Sequence, residues 1–375
     1  MKILIIRSYP SIVDLKASNY NQQEIGLATA FQKKGHTVGI VYFGGNNHVD
    51  DVYKTAYGDI SIYYRKAKVY LGKIALYEEF SDLKESYDML ILNEYDQIET
   101  AKTLKKYSSK AIIYHGPYYC AFNKRYNMYN KMFDILYLRG IRKRKPIIFT
   151  KSKLAMEYLQ SKGLAVKDFV GVGLDKNQLH KNVEENNPYE TLIEGDKKNL
   201  LYIGKLEERR NVIFLLECLK ELVKLNDDYR LIMVGNGEAT YKEKVFEFIK
   251  SNDLEKYVVY KEKIEQMYLP YIYKNSEIFL LPTSFEIWGM VLMEAMLCNC
   301  PVVTTFNGGS SSLIKNGYNG MIIEELDVEK WVNTIANTKY DDLTLKEYNE
   351  KVIEEKCDWT RIADRMLEAF MEKRN

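Results

Sequence analysis

The chain has 375 residues, of which 46% are hydrophobic, and it is therefore long enough for two domains with cores of ordinary size. Lys and Arg number 54 and Asp and Glu 52, and the resulting net charge of +2 argues against an obligate nucleic-acid-binding protein. The sequence contains no run of about 18 apolar residues, and the N-terminal MKILIIRSYP lacks a signal-peptide cleavage site. We therefore expect a cytoplasmic protein without a transmembrane helix. The five cysteines have no metal-site spacing, so we expect buried thiols and no bound metal.

In the first half of the chain, short apolar segments alternate with helical patterns. The pattern predicts strands at 2–7, 36–43, 88–93, 110–115, 146–150 and 167–172. It predicts helices at about 20–34, 97–107, 119–140 and 152–162. Buried strands separated by helices are typical of a parallel sheet that is wound on both faces.

A polar segment at 178–197, which contains Pro188 and Gly195, interrupts the alternation and is the best candidate for a linker. The alternation then resumes. Strands are predicted at 199–204, 229–235, 256–260, 277–282 and 301–305, and helices at 211–225, 239–251 and 358–373. We therefore predict an α/β protein with two doubly wound domains. The predicted divisions are 1–178, a linker at 179–197, 198–355, and a C-terminal helix at 356–375.

Candidate binding loops follow four strands of the second domain, where ligands of open parallel sheets bind. The loop 204–211 carries Lys205 and Arg210, two cations that suit a phosphate or diphosphate. The loop 234–238 contains two glycines, which allow the backbone to approach a ligand closely. A Gly-Gly pair followed by serines, within 306–317, is a further phosphate-binding candidate. Each loop alone is also compatible with a solvated surface loop.

The segment SFEIWGMVLMEAM, at 284–296, carries two glutamates in apolar surroundings. Glu286 is predicted in a strand-to-helix loop, and Glu294 in a helix that is otherwise apolar on every side and hence buried. A buried carboxylate requires a hydrogen-bonding partner. Two explanations remain open: Glu294 pairs with a core Arg or Lys, or it accepts hydrogen bonds from a ligand's hydroxyl groups, as Glu286 would.

The spacing E-x7-E of Glu286 and Glu294, after a strand that ends at Pro282, resembles that of retaining glycosyltransferases of family 4. The loop GKLEERRN, at 204–211, resembles that family's G-R-L-x-x-x-K-N pattern with Lys and Arg exchanged. QEIGLATAFQKKGHTV and VGVGLD resemble family segments of the first domain. The resemblance implies the GT-B fold, with two Rossmann-like domains whose sheets face a cleft. The first would bind the acceptor, the second the nucleotide sugar, and the last helix would cross back to the first domain.

The resemblance also implies a site. The donor-binding residues would be Gly204, Lys205, Arg210, Gly235, Lys263, Glu286, Ile287, Trp288, Gly289, Met290 and Glu294. The catalytic groups would be Glu286, Lys205, Arg210 and His115, the last of these close to the transferred sugar. The implied reaction moves a hexose-type sugar, with retention and without an obligatory metal or other cofactor, from a nucleotide-diphosphate donor to an acceptor hydroxyl. A UDP-sugar is the default donor, and GDP remains open. We expect the acceptor to be a lipid-linked or growing polysaccharide or other cell-surface glycan.

Three positions differ from the family pattern. Ser312 stands where Glu is usual, Glu262 replaces a glycine near the base pocket, and the first loop, PSIVDLKASNYNQ, lacks a glycine pair. A non-catalytic sugar-nucleotide-binding or partner subunit is therefore the alternative function. A GT-B epimerase or phosphorylase would need a hydrolytic or phosphate-accepting site that the sequence does not indicate. A dinucleotide oxidoreductase is disfavoured, because no G-x-G-x-x-G follows the first strand.

A basic segment, RGIRKRK at 139–145, holds five cations, and Lys124 and Arg125 precede it in a Tyr-rich stretch. Cations next to aromatic residues suit an anionic membrane surface. The alternative is a solvated helix end. On the first interpretation the protein works at the inner face of the cell membrane.

Overall fold

The computed structural model describes residues 1–15, 22–70, 74–175 and 187–374. The chain divides into two compact units, one formed by Met1–Leu174 with Asp358–Asn375 and the other by Asp175–Cys357. Residues 179–186 of the predicted linker and the predicted start of the first helix, at residues 20 and 21, lie outside the described residues.

The first unit contains an eight-stranded sheet and a two-stranded sheet. Its strands are β1 Lys2–Arg7, β2 Thr37–Phe43, β3 Val49–Thr55, β4 Gly58–Arg65, β5 Ala67–Tyr70, β6 Ile74–Tyr77, β7 Met89–Asn93, β8 Ala111–His115, β9 Ile147–Thr150 and β10 Asp168–Phe169. The large sheet has the order β10-β9-β8-β7-β1-β2-β4-β3, and β5 pairs with β6. In the large sheet, neighbouring strands run parallel except β3 and β4, and the β5–β6 pair is antiparallel.

The predicted parallel sheet is therefore confirmed for its central strands. The prediction that all its strands are parallel is wrong at one edge. There, β3 and β4 form an antiparallel hairpin that the sequence patterns did not predict. The outermost strand, β3, is largely exposed: its first four residues, two of them aspartates, are all exposed. Edge strands commonly carry such charges, which weakens the apolar alternation that marks a buried strand. The strand predicted at 167–172 shrinks to the two residues of β10.

The helices of the first unit lie between these strands. They are α1 Gln23–Lys33, α2 Ser81–Glu85, α3 Ile98–Tyr107, α4 Lys124–Phe133, α5 Arg139–Arg144 and α6 Lys153–Ser161. The single helix predicted at 119–140 is wrong in its extent, because Asn123 caps α4 by accepting a hydrogen bond from the Tyr126 N–H at 3.2 Å. A π-helical turn, Asp134–Leu138, connects α4 to α5.

The second unit contains a six-stranded, wholly parallel sheet. Its strands are β11 Lys198–Ile203, β12 Tyr229–Val234, β13 Val258–Lys261, β14 Ile278–Leu281, β15 Val302–Thr304 and β16 Gly320–Ile322, in the order β13-β12-β11-β14-β15-β16. Its helices are α7 Val212–Leu225, α8 Ala239–Ser251, α9 Leu269–Lys274, α10 Met290–Leu297, α11 Ser310–Leu313, α12 Val328–Asn337 and α13 Asp342–Lys356. The four inner strands, β12, β11, β14 and β15, are buried along almost their whole length, as in sheets covered on both faces. The sequence patterns did not predict β16, α12 or α13.

The last helix, α14 Trp359–Arg374, belongs to the first unit and packs against α1. Its Trp359 is 6% exposed. The indole fills a slot between two glycines, since a Cβ atom at Gly26 or Gly173 would lie 2.2 Å from the Trp359 ring. Only glycine allows the backbone to come this close to the indole. Among the described residues, no helix combines the length and the apolar character needed to cross a bilayer.

Candidate functional site

The carboxyl ends of four adjacent strands in the second unit, β12, β11, β14 and β15, meet at one edge of the sheet. The register pairs Ile203 with Val234 at the end of β11 and β12. The loops that the sequence singled out leave from these ends. They are 204–211, 235–238, 282–289 and 305–309.

Arg210 and Glu286 meet across two of these loops. The Arg210 Nη1 donates to the Glu286 Oε2 at 2.6 Å, and Glu286 Oε1 accepts from the Ile287 N–H at 3.1 Å. The side chains are 12% and 17% exposed, respectively. A second carboxylate, Glu207, lies 3.8 Å from the Arg210 Nε. Two predicted site residues that are 76 positions apart are therefore joined, and both keep some access to solvent.

Two further side chains fix the spacing between the same loops. Arg209 donates from Nη1 to the Phe285 carbonyl at 2.6 Å. Asn211 donates from Nδ2 to the Pro282 carbonyl at 2.6 Å and to the Ser284 Oγ at 2.9 Å. Asn211 adopts a left-handed conformation, with φ of 51°, that its short polar side chain tolerates. These bonds hold the Arg210–Glu286 pair in place from both sides.

Lys205 and Lys263 are both exposed. The Lys205 carbonyl accepts from the Tyr202 hydroxyl at 2.8 Å, and its ammonium group contacts no carboxylate among the described residues. Lys263 lies beyond the end of β13, near Glu265. The pKa of the Glu265 carboxyl is lowered mainly by its hydrogen bonds with the Tyr189 hydroxyl and the backbone, and to a smaller extent by the charge of Lys263. Lys205 is therefore the predicted site cation that is most open to an anion.

Gly235 and Gly204 bring two loop backbones into direct contact. A Cβ atom at Gly235 would lie 1.9 Å from the Gly204 carbonyl oxygen, and its φ of 149° is also rare for residues with side chains. The Gly235 N–H donates to the Lys261 carbonyl at 2.9 Å, and the Gly235 carbonyl accepts from the Tyr260 hydroxyl at 3.0 Å. Gly235 therefore has a structural reason to be glycine that does not need a ligand.

Helix α10 begins directly after the Glu286 loop. Gly289 is its N-cap residue, with φ of 80°, and no side chain caps this end. Because the N–H groups of its first turn have no side-chain cap, the N-terminus of α10 is suited to negative charge. The adjacent Gly308 and Gly309 press against the preceding loop, where Cβ atoms would lie 2.2 Å from the Ile287 carbonyl and 1.6 Å from the Trp288 carbonyl.

The remaining predicted contacts of this segment differ in exposure. Ile287 and Met290 are half-buried. Trp288 is 2% exposed, and its indole N–H points to the Met293 sulfur at 3.1 Å. In this structure Trp288 can shape the loop through its backbone, while its ring forms part of the core.

Glu294 is 1% exposed and lies in the middle of α10. Its Oε2 accepts from the Tyr273 hydroxyl at 3.1 Å, whereas Oε1 has no hydrogen-bond partner among the described residues. Burial raises the pKa of this carboxyl to about 7, against a smaller lowering by the Tyr273 hydroxyl. No described Arg or Lys forms the ion pair that was the alternative explanation of Glu294.

The two positions that depart from the family pattern have local partners. Glu262 accepts from the Asn236 amide at 2.5 Å and from Lys242 at 3.3 Å. The Ser312 hydroxyl donates to the Gly308 carbonyl at 3.4 Å. Both residues lie next to loops of the candidate site. Ser312 has no carboxylate where the family pattern has Glu, and Glu262 has a side chain where the pattern has Gly.

His115 lies in the first unit, at the end of β8, and is fully buried. Its Nδ1 lies 2.8 Å from the Glu94 Oε2, and Glu94 Oε1 accepts from the Lys151 ammonium at 3.0 Å. Burial opposes ionisation of Glu94, but Lys151, His115 and the Gly116 N–H together lower its pKa to about 2. The Nδ1 of His115 is thus directed at a carboxylate, and its Nε2 has no hydrogen-bond partner among the described residues.

Sequence reasoning missed several residues that support these groups. Asn307 is 1% exposed and accepts, through Oδ1, from the N–H groups of Gly309 and Ser310 at 3.1 and 3.0 Å, which shapes the Gly-Gly turn. Glu94 follows a buried strand directly, and that position is a signal that would have found it. Tyr273 carries no comparable signal, because it belongs to the buried side of a short helix.

Among the described residues, no group of three or more His, Cys, Asp or Glu side chains is arranged to hold a metal ion. The five cysteines, all of which lie among the described residues, form no disulfide bond; four are buried and Cys120 is half-buried.

The sequence around the candidate site is shared with known proteins. Residues 183–365 match the family model of the group 1 glycosyl transferases. This group 1 region takes in just under half of the chain and includes every donor-binding residue predicted above; His115 lies outside it.

Curated relatives match a similar portion. Spore coat protein SA of Bacillus subtilis is 23% identical over 187 residues, covering 48% of this chain and 50% of its own length. The glycosyltransferase MJ1178 of Methanocaldococcus jannaschii is 27% identical over 197 residues, covering 48% and 54%. The chain thus spans about half the length of the curated relatives that it matches.

Solved structures are similar over nearly the whole chain. Sucrose-phosphate synthase from Thermosynechococcus elongatus superposes with a TM-score of 0.71 at 15% identity, covering 99% of this chain and 98% of that one. HepE of Anabaena, in complex with UDP, superposes with a TM-score of 0.71 at 14% identity, covering 99% and 100%. These likenesses confirm the predicted α/β class and the GT-B fold with two Rossmann-like domains.

Proposed function

We propose that this protein is a retaining glycosyltransferase that moves a hexose-type sugar from a UDP-sugar to an acceptor hydroxyl. The observation that carries the proposal is the Arg210–Glu286 pair, joined at 2.6 Å beside the uncapped N-terminus of α10 within the group 1 region. A structural neighbour, HepE of Anabaena, has been solved in complex with UDP, which supports UDP as the donor nucleotide.

The leaving diphosphate would be stabilised by Lys205, Arg210 and the N-terminus of α10. Lys205 is exposed, and the α10 N–H groups lack a side-chain cap, so both have capacity for an anion. The loss of one contact to developing negative charge typically costs about 3 kcal/mol of transition-state stabilisation. In this proposal no metal is needed, because the fixed positive groups take its electrostatic role.

The two glutamates would bind hydroxyl groups. Glu286 is partly exposed and would accept from the transferred sugar, while Glu294 would accept from the ribose through the unpaired Oε1. Hydroxyl donors stabilise a carboxylate and lower its pKa. Because burial raises the pKa of free Glu294 to about 7, we expect UDP binding near neutral pH to release a proton. Titration calorimetry in two buffers of different ionisation enthalpy measures this release, and its absence would remove Glu294 from the ribose site.

We propose that the departing phosphate, rather than a side chain, takes the proton from the acceptor hydroxyl. Glu286 is already engaged by Arg210 and the Ile287 N–H, which suits a sugar-binding group better than a covalent nucleophile. Mass spectrometry of a Glu286→Gln enzyme incubated with donor tests this step. A glycosyl adduct trapped on another residue would contradict it.

The acceptor is proposed to be a lipid-linked or growing cell-surface glycan that binds to the first unit. His115 would contribute there through its unpaired Nε2, as a group that contacts the transferred sugar. A position at the inner face of the cell membrane, with 139–145 near anionic lipid, is part of the same proposal.

The first experiment is thermal unfolding with UDP, GDP, ADP and CMP. A nucleotide that binds only the folded protein at about 100 times its Kd adds about 2.7 kcal/mol of stability. We expect UDP to stabilise the wild type and a control, Glu324→Gln, and to have little effect on Glu294→Ala. Stabilisation of none of the forms by any of the four nucleotides would contradict the proposal.

Turnover separates the enzyme from the non-catalytic alternative. UDP-sugars incubated with wild type should release UDP, and the released sugar or product should keep its anomeric configuration in NMR spectra. Stabilisation by UDP without release of UDP from any UDP-sugar, with or without glycan acceptors, would indicate a sugar-nucleotide-binding subunit.

A further inference from the structure

An apolar face is exposed on the helical segment formed by α4 and the following π-helical turn. The exposed fractions are 63% for Met128, 54% for Met132, 83% for Ile135 and 71% for Leu136. Spacings of three and four residues place them on one side of the segment. These four residues are called the apolar face below. Single exposed apolar side chains are ordinary on protein surfaces, but a contiguous group indicates an interaction site.

The opposite side of this segment is buried and combines core residues with a polar network. Phe133 and Leu138 belong to the apolar core of the first unit. Asn130, which is 1% exposed, donates to the Asp96 carboxylate at 3.0 Å and accepts from the Tyr95 and Tyr158 hydroxyls at 2.7 and 2.6 Å. One turn later, Asp134 pairs with Lys162. Surface helices of soluble proteins normally bury one apolar stripe and expose polar residues, whereas this segment also has apolar residues on its exposed side.

This buried polar network fixes the rotation of the segment. Turning the helix to hide the apolar face would strip Asn130 and Asp134 of their buried partners, and each buried polar group left unpaired is costly. The apolar face therefore stays on the outside of the unit, where a lipid bilayer or an apolar protein surface could cover it.

The same surface is strongly basic. Between residues 119 and 145 the chain has eight Lys and Arg residues and one acid, Asp134. Cations that flank the apolar face and are exposed include Lys124, Arg125, Lys131, Arg139 and Lys143. In the segment 139–145, Arg142 donates to the Lys162 carbonyl at 2.6 Å and Arg144 to the Gly140 carbonyl at 2.6 Å, so these two guanidinium groups also have structural roles.

We propose that this face docks on an anionic lipid bilayer, with the apolar face inserted among the headgroups and the flanking cations on lipid phosphates. An apolar face bordered by Lys and Arg is the pattern of helices that lie in the membrane interface. A second copy of the chain fits less well, because a two-fold interface through this surface would place like charges opposite one another. The proposal does not depend on the reaction proposed above.

Co-sedimentation of the full chain with vesicles tests the docking. Vesicles of phosphatidylcholine alone are compared with vesicles that also contain phosphatidylglycerol, at low and high salt. The variant Ile135→Gln with Leu136→Gln removes half of the apolar face, and Lys131→Gln with Arg139→Gln removes two flanking cations. The matched control is Leu225→Gln with Leu343→Gln, because these leucines of the second unit are 66% and 64% exposed.

We expect wild type and control to bind the anionic vesicles and to be released by salt, since surface charges are screened over about 10 Å at 0.1 M salt. The apolar variant should lose binding on the order of tenfold, because several buried methylene groups are removed. The cation variant should bind less tightly and show a weaker salt dependence. Thermal unfolding of each variant, and its stabilisation by UDP, show whether it is folded and whether the second unit is intact.

Three results would overturn the proposal. Wild type would fail to bind anionic vesicles, or the folded apolar variant would bind like wild type. Alternatively, light scattering would find a wild-type dimer that the apolar variant abolishes, without any vesicle binding, and a second copy would then be the partner.

Discussion

The carboxyl edges of the two sheets each hold a buried or half-buried carboxylate paired with a cation, and the surroundings of the two pairs differ. In the first unit, Glu94 is held by Lys151, His115 and the Gly116 N–H, and Lys151 is only 9% exposed. In the second unit, the Arg210–Glu286 pair lies beside an exposed Lys205 and an uncapped helix N-terminus.

The difference indicates distinct roles for similar pairs. In the first unit, the Lys151 ammonium group is buried against Glu94, so we infer that this pair stabilises the fold and orients His115. At the second edge, Lys205 has no carboxylate partner among the described residues, the N-terminus of α10 has no side-chain cap, and the buried Glu294 has one oxygen without a hydrogen-bond partner there. Such groups are expected at a surface that completes its contacts with a ligand. The predictions below test this division, in order of decreasing effect.

Replacing Lys151 with Met should destabilise the protein by about 3 kcal/mol, because Glu94, whose side chain is only 14% exposed, loses its cation. Urea unfolding near pH 7 measures the loss. In the wild type, the lowered pKa of Glu94 means that its contribution is present above about pH 4.5 and is lost as the pH falls toward 2. Lys346→Met, at a lysine that is 57% exposed and 4.0 Å from Glu350, should change stability little. A loss below about 1 kcal/mol for Lys151→Met would mean that the first pair is not structural.

Replacing Arg210 with Ala should act on turnover. We expect kcat/KM for the UDP-sugar to fall by about 100-fold to 1,000-fold, because one fixed contact to the leaving diphosphate is removed. Lys224→Ala, which removes an exposed cation from α7, is the control. Unchanged kcat/KM together with strong destabilisation would assign the second pair a structural role as well.

Replacing Glu294 with Gln should alter the pH dependence of stability. The pKa of Glu294 is raised to about 7 in the folded protein, so its penalty is absent at low pH and grows as the pH rises from about 4.5 to 7. The stability of the variant relative to wild type should therefore increase by about 3 kcal/mol between about pH 4 and pH 8. Urea unfolding across this range measures it. Parallel pH profiles of the two proteins would show that Glu294 is ionised and satisfied in the free protein.

Replacing Gly309 with Ala should cost about 1–3 kcal/mol, because the new Cβ atom would lie 1.6 Å from the Trp288 carbonyl and the loops must separate. Thermal unfolding measures the cost. Gly195→Ala is a matched control, since a Cβ atom there meets no atom within 4 Å. A neutral Gly309→Ala variant would show that the site loops are looser than their packing indicates.

Much of the fold follows from local patterns in the sequence. The buried strands β1, β2, β7 and β8, and β11, β12 and β14, are short apolar runs, and their bounds agree with prediction to within about a residue. The sequence could predict that Arg210 and Glu286 lie close together, because both follow strands of one parallel sheet. The β3–β4 hairpin was not, since exposed edge strands carry charge and have weak alternation.

Other features depend on contacts that no sequence period encodes. The Glu94–Lys151 pair joins the ends of strands that are 57 residues apart, and only the strand order β9-β8-β7 brings them together. The same holds for Tyr273 and Glu294, which sit on different helices. The apolar face of α4 and the π-helical turn was not predicted, because exposed methionine, isoleucine and leucine resemble core residues in a sequence pattern.

The slot for Trp359 between Gly26 and Gly173 has a consequence for the order in which the protein is made. During synthesis, residues 175–357 of the second unit are all added before Trp359, so the first unit lacks its last helix throughout that interval. Until then the surface that α14 covers on α1 is bare. A nascent chain arrested after Cys357 should therefore recruit holdase chaperones at its first unit, and release them once residues 358–374 emerge.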